Sequence, residues 1–273
     1  MGNYPFNNIL LATEHTEFDT GAERLAFKMA KHCGLPLRVV IPMTSNPEYE
    51  AESPDVALRA ELAVATCIVE MRKRAGELGL KLDVHVRRGT DLHKEIVAEA
   101  NESNSDLIVI RRRGKPSFLA RMLVGEMVSK VIRDSKCSVL LVPRAAEFWN
   151  RRVLAAVGDT PSSPNITKIA GAIAGTCGLP LTILSVASNQ AALSKTQSLN
   201  TLNVSLASTF SNQVSGEVRI GMLLEQTILS VTETGADLVV IERERNNAMP
   251  FGNRSVMQQI AGNMDVPTLV TPS

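Results

Sequence analysis

The strongest constraint on this chain is that its sequence repeats. His32-Cys33-Gly34-Leu35-Pro36-Leu37 returns as Thr176-Cys177-Gly178-Leu179-Pro180-Leu181. Asp106-Leu107-Ile108-Val109-Ile110 returns as Asp237-Leu238-Val239-Val240-Ile241, and Ser138-Val139-Leu140-Leu141-Val142-Pro143 is echoed by Pro267-Thr268-Leu269-Val270-Thr271-Pro272. The blocks keep their order while the offset between copies falls from 144 to 131 and then 129, so the second copy is shorter in its middle. Two copies in 273 residues imply two domains rather than a solenoid. We place them at 1–146 and 147–273, with the join near Arg144–Arg151.

Within each copy, short apolar runs alternate with helical patterns. Ile9–Thr13, Leu37–Ile41, Leu82–Val86, Leu107–Ile110 and Val139–Val142 read as strands buried on both faces, and so do Val153–Val157, Leu181–Val186, Glu217–Ile220, Leu238–Ile241 and Thr268–Val270. Ala22, Leu25, Ala26, Met29, Ala30 and Cys33 form an apolar helical stripe closed by Gly34. Further helices are predicted around Ile68–Leu78, Leu92–Ala100, Met127–Ile132, Asn165–Thr176, Leu223–Thr234 and Arg254–Asn263. Such alternation predicts an α/β fold of two doubly wound five-stranded parallel sheets. Asn189–Asn212 is rich in Ser, Asn and Gln, is charged only at Lys195, and reads as irregular or covered by a partner.

Composition narrows the function. The net charge is +1, which gives no electrostatic case for binding nucleic acid. Neither a membrane-length apolar run nor a secretory leader pattern is seen, so a cytoplasmic setting is expected. The first 148 residues hold 21 basic and 20 acidic side chains, the remainder only 8 of each. The four cysteines form no Cys-x-x-Cys pair, and Cys33 and Cys177 occupy matching places before a helix-ending glycine, which favours packing over reactivity. No two of His15, His32, His85 and His93 have metal-ligand spacing on one helix.

Parallel sheets bind ligands beyond the carboxyl ends of their strands, here Thr13–His15, Pro42–Thr44, Arg87–Thr90 and Arg111–Gly114. No phosphate-loop, dinucleotide or serine-hydrolase motif lies there, so no catalytic residue is assigned and the chain is read as not an enzyme. The richest segment is Arg111-Arg112-Arg113-Gly114-Lys115, leading to Gly125-Glu126 at a helix start. It reads either as a solvated basic loop or as a phosphate clamp.

Asp106–Val142 resembles the universal stress protein family: Asp-Leu-Ile-Val-Ile, then Arg111-x-x-Gly114, then Gly125-Glu126, a helix, and Cys137-Ser138-Val139-Leu140-Leu141-Val142. Asn8-Ile9-Leu10-Leu11-Ala12-Thr13-Glu14 resembles that family's first strand with its terminal acid, and both halves share the likeness. The resemblance implies a tandem protein of two Rossmann-like, adenine-nucleotide α-hydrolase-like domains packed as an internal pseudo-dimer. Val139–Val142 and Thr268–Val270 would then pair at their edges. It implies a role in stress response or signalling, with self-association as a homodimer and an unidentified protein as partners, and no membrane. In one subclass it also implies ATP or AMP binding, with at most slow hydrolysis. Carried across, Glu14 takes the place of the acid that contacts the nucleotide, Gly114 and Gly125 those of the second and third motif glycines. Arg111 stands for the first glycine, Glu126 for a hydroxyl residue, and Pro42 removes an N–H where adenine meets backbone. The arginines of the run, Arg113 among them, would offset the charge of Glu126 only if turned inward, and Lys115 completes the candidate clamp. The expected outcome is a degraded nucleotide motif in the first half, with no certain cofactor, and a second half that does not bind ATP in the family's manner.

Overall fold

The structure, a computed structural model, describes residues 4–45, 54–112, 125–157, 164–243 and 256–272. In the first half, β1 (Ile9–Ala12), β2 (Leu37–Thr44), β3 (Leu82–Gly89), β4 (Leu107–Arg111) and β5 (Ser138–Val142) alternate with α1 (Thr20–Cys33), α2 (Pro54–Leu78), α3 (Leu92–Glu102) and α4 (Glu126–Asp134). The second half repeats this with β6 (Val153–Val157), α5 (Pro164–Cys177), β7 (Leu181–Ala187), α6 (Leu193–Ala207), β8 (Val214–Ile220), α7 (Leu223–Thr234), β9 (Leu238–Glu242), α8 (Val256–Asn263) and β10 (Thr268–Thr271). All ten expected strands are present.

Strand order is β3-β2-β1-β4-β5-β10-β9-β6-β7-β8, which is one half followed by its reversed copy. Pairing is parallel within each half. The expected pairing of the last strands is there and is antiparallel, Leu269 opposite Leu140. The two five-stranded sheets therefore run on as one. Each face of that sheet is covered by an apolar layer that crosses the seam. One layer joins Leu11, Leu25, Met29 and Leu140 to Val153, Ile173 and Leu269, and the other joins Leu10, Ile108 and Leu141 to Leu154, Val239 and Val270.

The repeated motifs have local causes. Gly34 and Gly178 both end their helices at φ 66°, a left-handed conformation that glycine adopts without strain. Leu35 and Leu179 then donate to the carbonyls of Ala30 and Ala174 at 2.9 and 2.8 Å. Asp106 accepts the N–H groups of Asn7 and Asn8 just ahead of β1. Asp237 accepts those of Asn150, Arg151 and Arg152 ahead of β6. Each aspartate thus pins the first strand of its half beside the fourth.

Arg112 and Arg243 follow β4 and β9 at matching positions, donating their main-chain N–H to Val142 and Thr271. Their side chains cross the seam in opposite directions. Arg243 caps α4, its Nη1 donating to the carbonyls of Ile132 and Ser135 at 2.6 Å each. Arg112 reaches toward the end of α8 and meets the exposed carboxylate of Asp265 at 3.2 Å, while its buried Nε and Nη1 have no partner among the described residues.

One expectation fails. Asn189–Asn212 is not irregular: it holds a short 3₁₀ turn at Gln190–Ala192 and the helix α6. The helix lacks an apolar stripe because it is held by polar contacts. Buried Asn200 donates to the Ile183 carbonyl and Ser185 Oγ at 2.8 and 2.9 Å, and Thr196, one helical turn earlier, is also buried. Gly175 of α5 lets the residues after α6 approach, since a Cβ there would stand 2.0 Å from the Phe210 carbonyl oxygen. α2 is also longer than expected, its first three turns standing out from the body.

Candidate functional site

β1 and β4 are neighbours, Ala12 opposite Ile110, so the residues after Ala12 and the last residue of β4 meet at the carboxyl end of the sheet. Thr13 still donates its N–H to Val40. The chain then turns sharply, with His15 at φ 54° and its N–H bonded to Thr13 Oγ1 at 2.9 Å. That turn delivers Glu14, His15 and Thr16 over the strand ends, and α1 adds Asp19 and Glu23.

Arg111 fills the space between them. Its Nη1 donates to Asp19 Oδ2 at 2.8 Å and Thr16 Oγ1 at 3.2 Å, and its Nη2 to Glu14 Oε1 at 2.7 Å. Asp19 is buried, and its Oδ2 also accepts the N–H and hydroxyl of Thr16 at 3.0 and 2.6 Å. The guanidinium is itself largely buried, so this is a sheltered fork of charge-assisted bonds.

A second knot lies alongside. Buried Glu23 accepts the Thr13 hydroxyl at 2.7 Å and faces His15 Nδ1 at 2.9 Å, and His15 Nε2 faces Glu70 of α2 at 3.0 Å. Both ring nitrogens can donate only in the imidazolium. Burial pulls the imidazole pKa down, but hydrogen bonds to Glu23 and Glu70 outweigh it and the net shift is upward. Burial, with the nearby charges of Glu23, Glu70 and Asp19, pushes the Cys67 thiol up to about 12, which leaves it unreactive at neutral pH. Four carboxylates thus face two cations where a ligand would approach, which leaves the cluster net negative.

The remaining expected residues lie apart from this network. Pro42 is inside β2, opposite Arg87 of β3. It lies two residues beyond Val40, the last residue of β2 in register with β1. Gly125 precedes α4 at φ −59°. Glu126 is exposed and bonded to Lys130 at 2.9 Å, which lowers its pKa. Arg113, Gly114 and Lys115 lie outside the described residues, as do residues 158–163 and 244–255 of the second half. Glu242 ends β9 where Arg111 ends β4. Among the described residues no group of three or more His, Cys, Asp or Glu could hold a metal, and no helix is long and apolar enough to cross a membrane.

A family model described as the universal stress protein family matches residues 5–143, just over half of the chain. The chain belongs to the universal stress protein family. It is also 26% identical over 149 residues to a universal stress protein of Methanocaldococcus jannaschii, covering 52% of this chain and 85% of that one. Over nearly its whole length it is similar in fold to the crystal structure of a universal stress protein from Archaeoglobus fulgidus, with 19% identity, a TM-score of 0.77, and 97% and 98% of the two chains covered. A functionally unknown protein from Pseudomonas aeruginosa aligns with 16% identity and a TM-score of 0.69, covering 98% of this chain and 93% of that one. Both similarities span both halves, so the tandem arrangement belongs to the fold itself.

Sequence reasoning about this universal stress protein singled out Glu14 and Arg111 separately, one as a ligand contact and one as an obstruction. The structure brings them together as an ion pair. Thr16, Asp19, Glu23 and Glu70 were not singled out. The spacing Thr16-x-x-Asp19 just before an apolar helical stripe is the one local signal that could have found any of them.

Proposed function

We propose that this chain is a non-enzymatic tandem universal stress protein that acts in stress response or signalling through protein contacts, its nucleotide motif degraded. The observation that carries this reading is the fork of Arg111 between Glu14 and Asp19. The acid that would meet a nucleotide is held by the residue that replaces the first motif glycine. A nucleotide would have to displace a largely buried ion pair and strand the buried carboxylate of Asp19, a loss of several kcal/mol. Isothermal titration of the full chain with ATP should show no saturable heat, for the native protein or for Glu126→Ser, and native mass spectrometry should find no retained nucleotide. A retained nucleotide, or saturable heat in the native protein, overturns the reading.

The cationic run from Arg111 to Lys115 favours a second reading, in which the first half binds ATP or AMP. Arg111 and Arg112 are already turned to carboxylates, which weakens it. The same titration decides between the two.

A further inference from the structure

We infer that α2 carries a self-association surface, through which two copies of this chain pair antiparallel. The helix has two apolar lines. One packs on the body through Val64, Cys67, Ile68, Met71 and Ala75. The other is Leu58, Leu62, Ala65 and Val69, flanked by Asp55 and Arg72, and the six have spacings that alternate between three and four residues, the pattern of a coiled-coil seam. All six are exposed, Leu58 at 60%, Leu62 at 59% and Val69 at 66%. A line of large apolar side chains held in water marks a contact surface.

The order of residues along this line fits a second copy of itself. Set antiparallel with Leu62 facing Ala65 of the second copy, the line puts Leu58 against Val69 and Asp55 against Arg72. A two-fold axis makes each contact twice. The two central layers set a large side chain against a small one, and an ion pair closes each end. Parallel pairing in register would instead stack Asp55 on Asp55 and Arg72 on Arg72. The neighbouring acids do not compete for Arg72: Glu61 is paired with Arg88 at 2.6 Å and Glu70 with His15 at 3.0 Å. The seam runs over 18 residues, Asp55 to Arg72, about 26 Å at 1.5 Å rise per residue. That is less contact than a standard interface, so the dimer is weak, with a Kd in the micromolar range, and salt-sensitive.

Sedimentation velocity of the full chain from about 1 to 500 µM tests this. The native protein should dimerise reversibly. Asp55→Arg and Arg72→Asp should each weaken the dimer at least tenfold. A one-to-one mixture of these two variants should restore it, because every end layer then pairs opposite charges, and so should the double variant. Leu62→Lys should be monomeric throughout with an unchanged circular dichroism melt, since the side chain is exposed. A native protein that stays monomeric, a dimer that survives Leu62→Lys, or a mixture that fails to re-form overturns the inference. None of these outcomes depends on whether a nucleotide binds.

Discussion

His15 is the residue whose chemistry the structure makes most explicit. It joins β1 to α1 through Glu23 and to α2 through Glu70. When the ring loses its proton it keeps one N–H. Glu23, buried and also held by Thr13, is the partner that keeps it, and Glu70 is released. The folded pKa lies above the ordinary histidine value, so the bridge stabilises fully below the unfolded pKa of about 6.5 and fades as pH rises through the folded value. Glu70 is largely exposed, so the gain is on the order of 1 kcal/mol or less. An NMR titration should show the His15 pKa fall in Glu70→Gln, and urea unfolding should show that variant losing stability at pH 6 but little at pH 8. None of this bridge was legible beforehand. Its members stand in the turn after β1, on α1 and on α2, up to 55 residues apart, and nothing local to His15 reports a carboxylate arriving from another helix. Glu14 was legible because a strand end announces its own terminal residue. Its partner, 97 positions away, was not.

At the scale of elements, the matched arginines beyond β4 and β9 show how the same residue can help at one place and not at its copy. Arg243→Met should destabilise by about 1–3 kcal/mol, because it strands the α4 carbonyls that the side chain now satisfies. Arg112→Met should be close to neutral or slightly stabilising. It removes a cation whose pKa burial already depresses, and whose Nε and Nη1 are unpartnered. Urea midpoints of the two variants measure the difference. Strands were legible at this scale because parallel strands covered on both faces must be short and apolar, as Leu107–Ile110 and Leu238–Ile241 are. α6 was not. Its place is held by the Asn200 amide and by the close approach that Gly175 allows, neither of which leaves a periodic apolar pattern.

For the whole molecule, the decisive contact is β5 against β10. Both apolar layers pass through it, so the halves share their core rather than merely touch. We expect one cooperative unfolding transition. The single tryptophan, Trp149, is buried in the stretch joining β5 to β6 and reports on the link, while far-UV circular dichroism reports on both halves. The two urea curves should coincide, and the calorimetric and van't Hoff enthalpies should agree. Two separated transitions would mean that the halves unfold independently.

Pairing β5 with β10 inside one polypeptide also changes what mutation can do. In an assembly of two identical subunits, every substitution at the common boundary lands twice and must suit both sides at once. Covalent fusion lifts that rule. One lobe could acquire Arg111 and fold it into its own carboxylates while the other took Glu242 at the same station. One boundary arginine could become a finished helix cap while its twin stayed incomplete. Within one polypeptide the two lobes need not match, and a change in one places no demand on its counterpart.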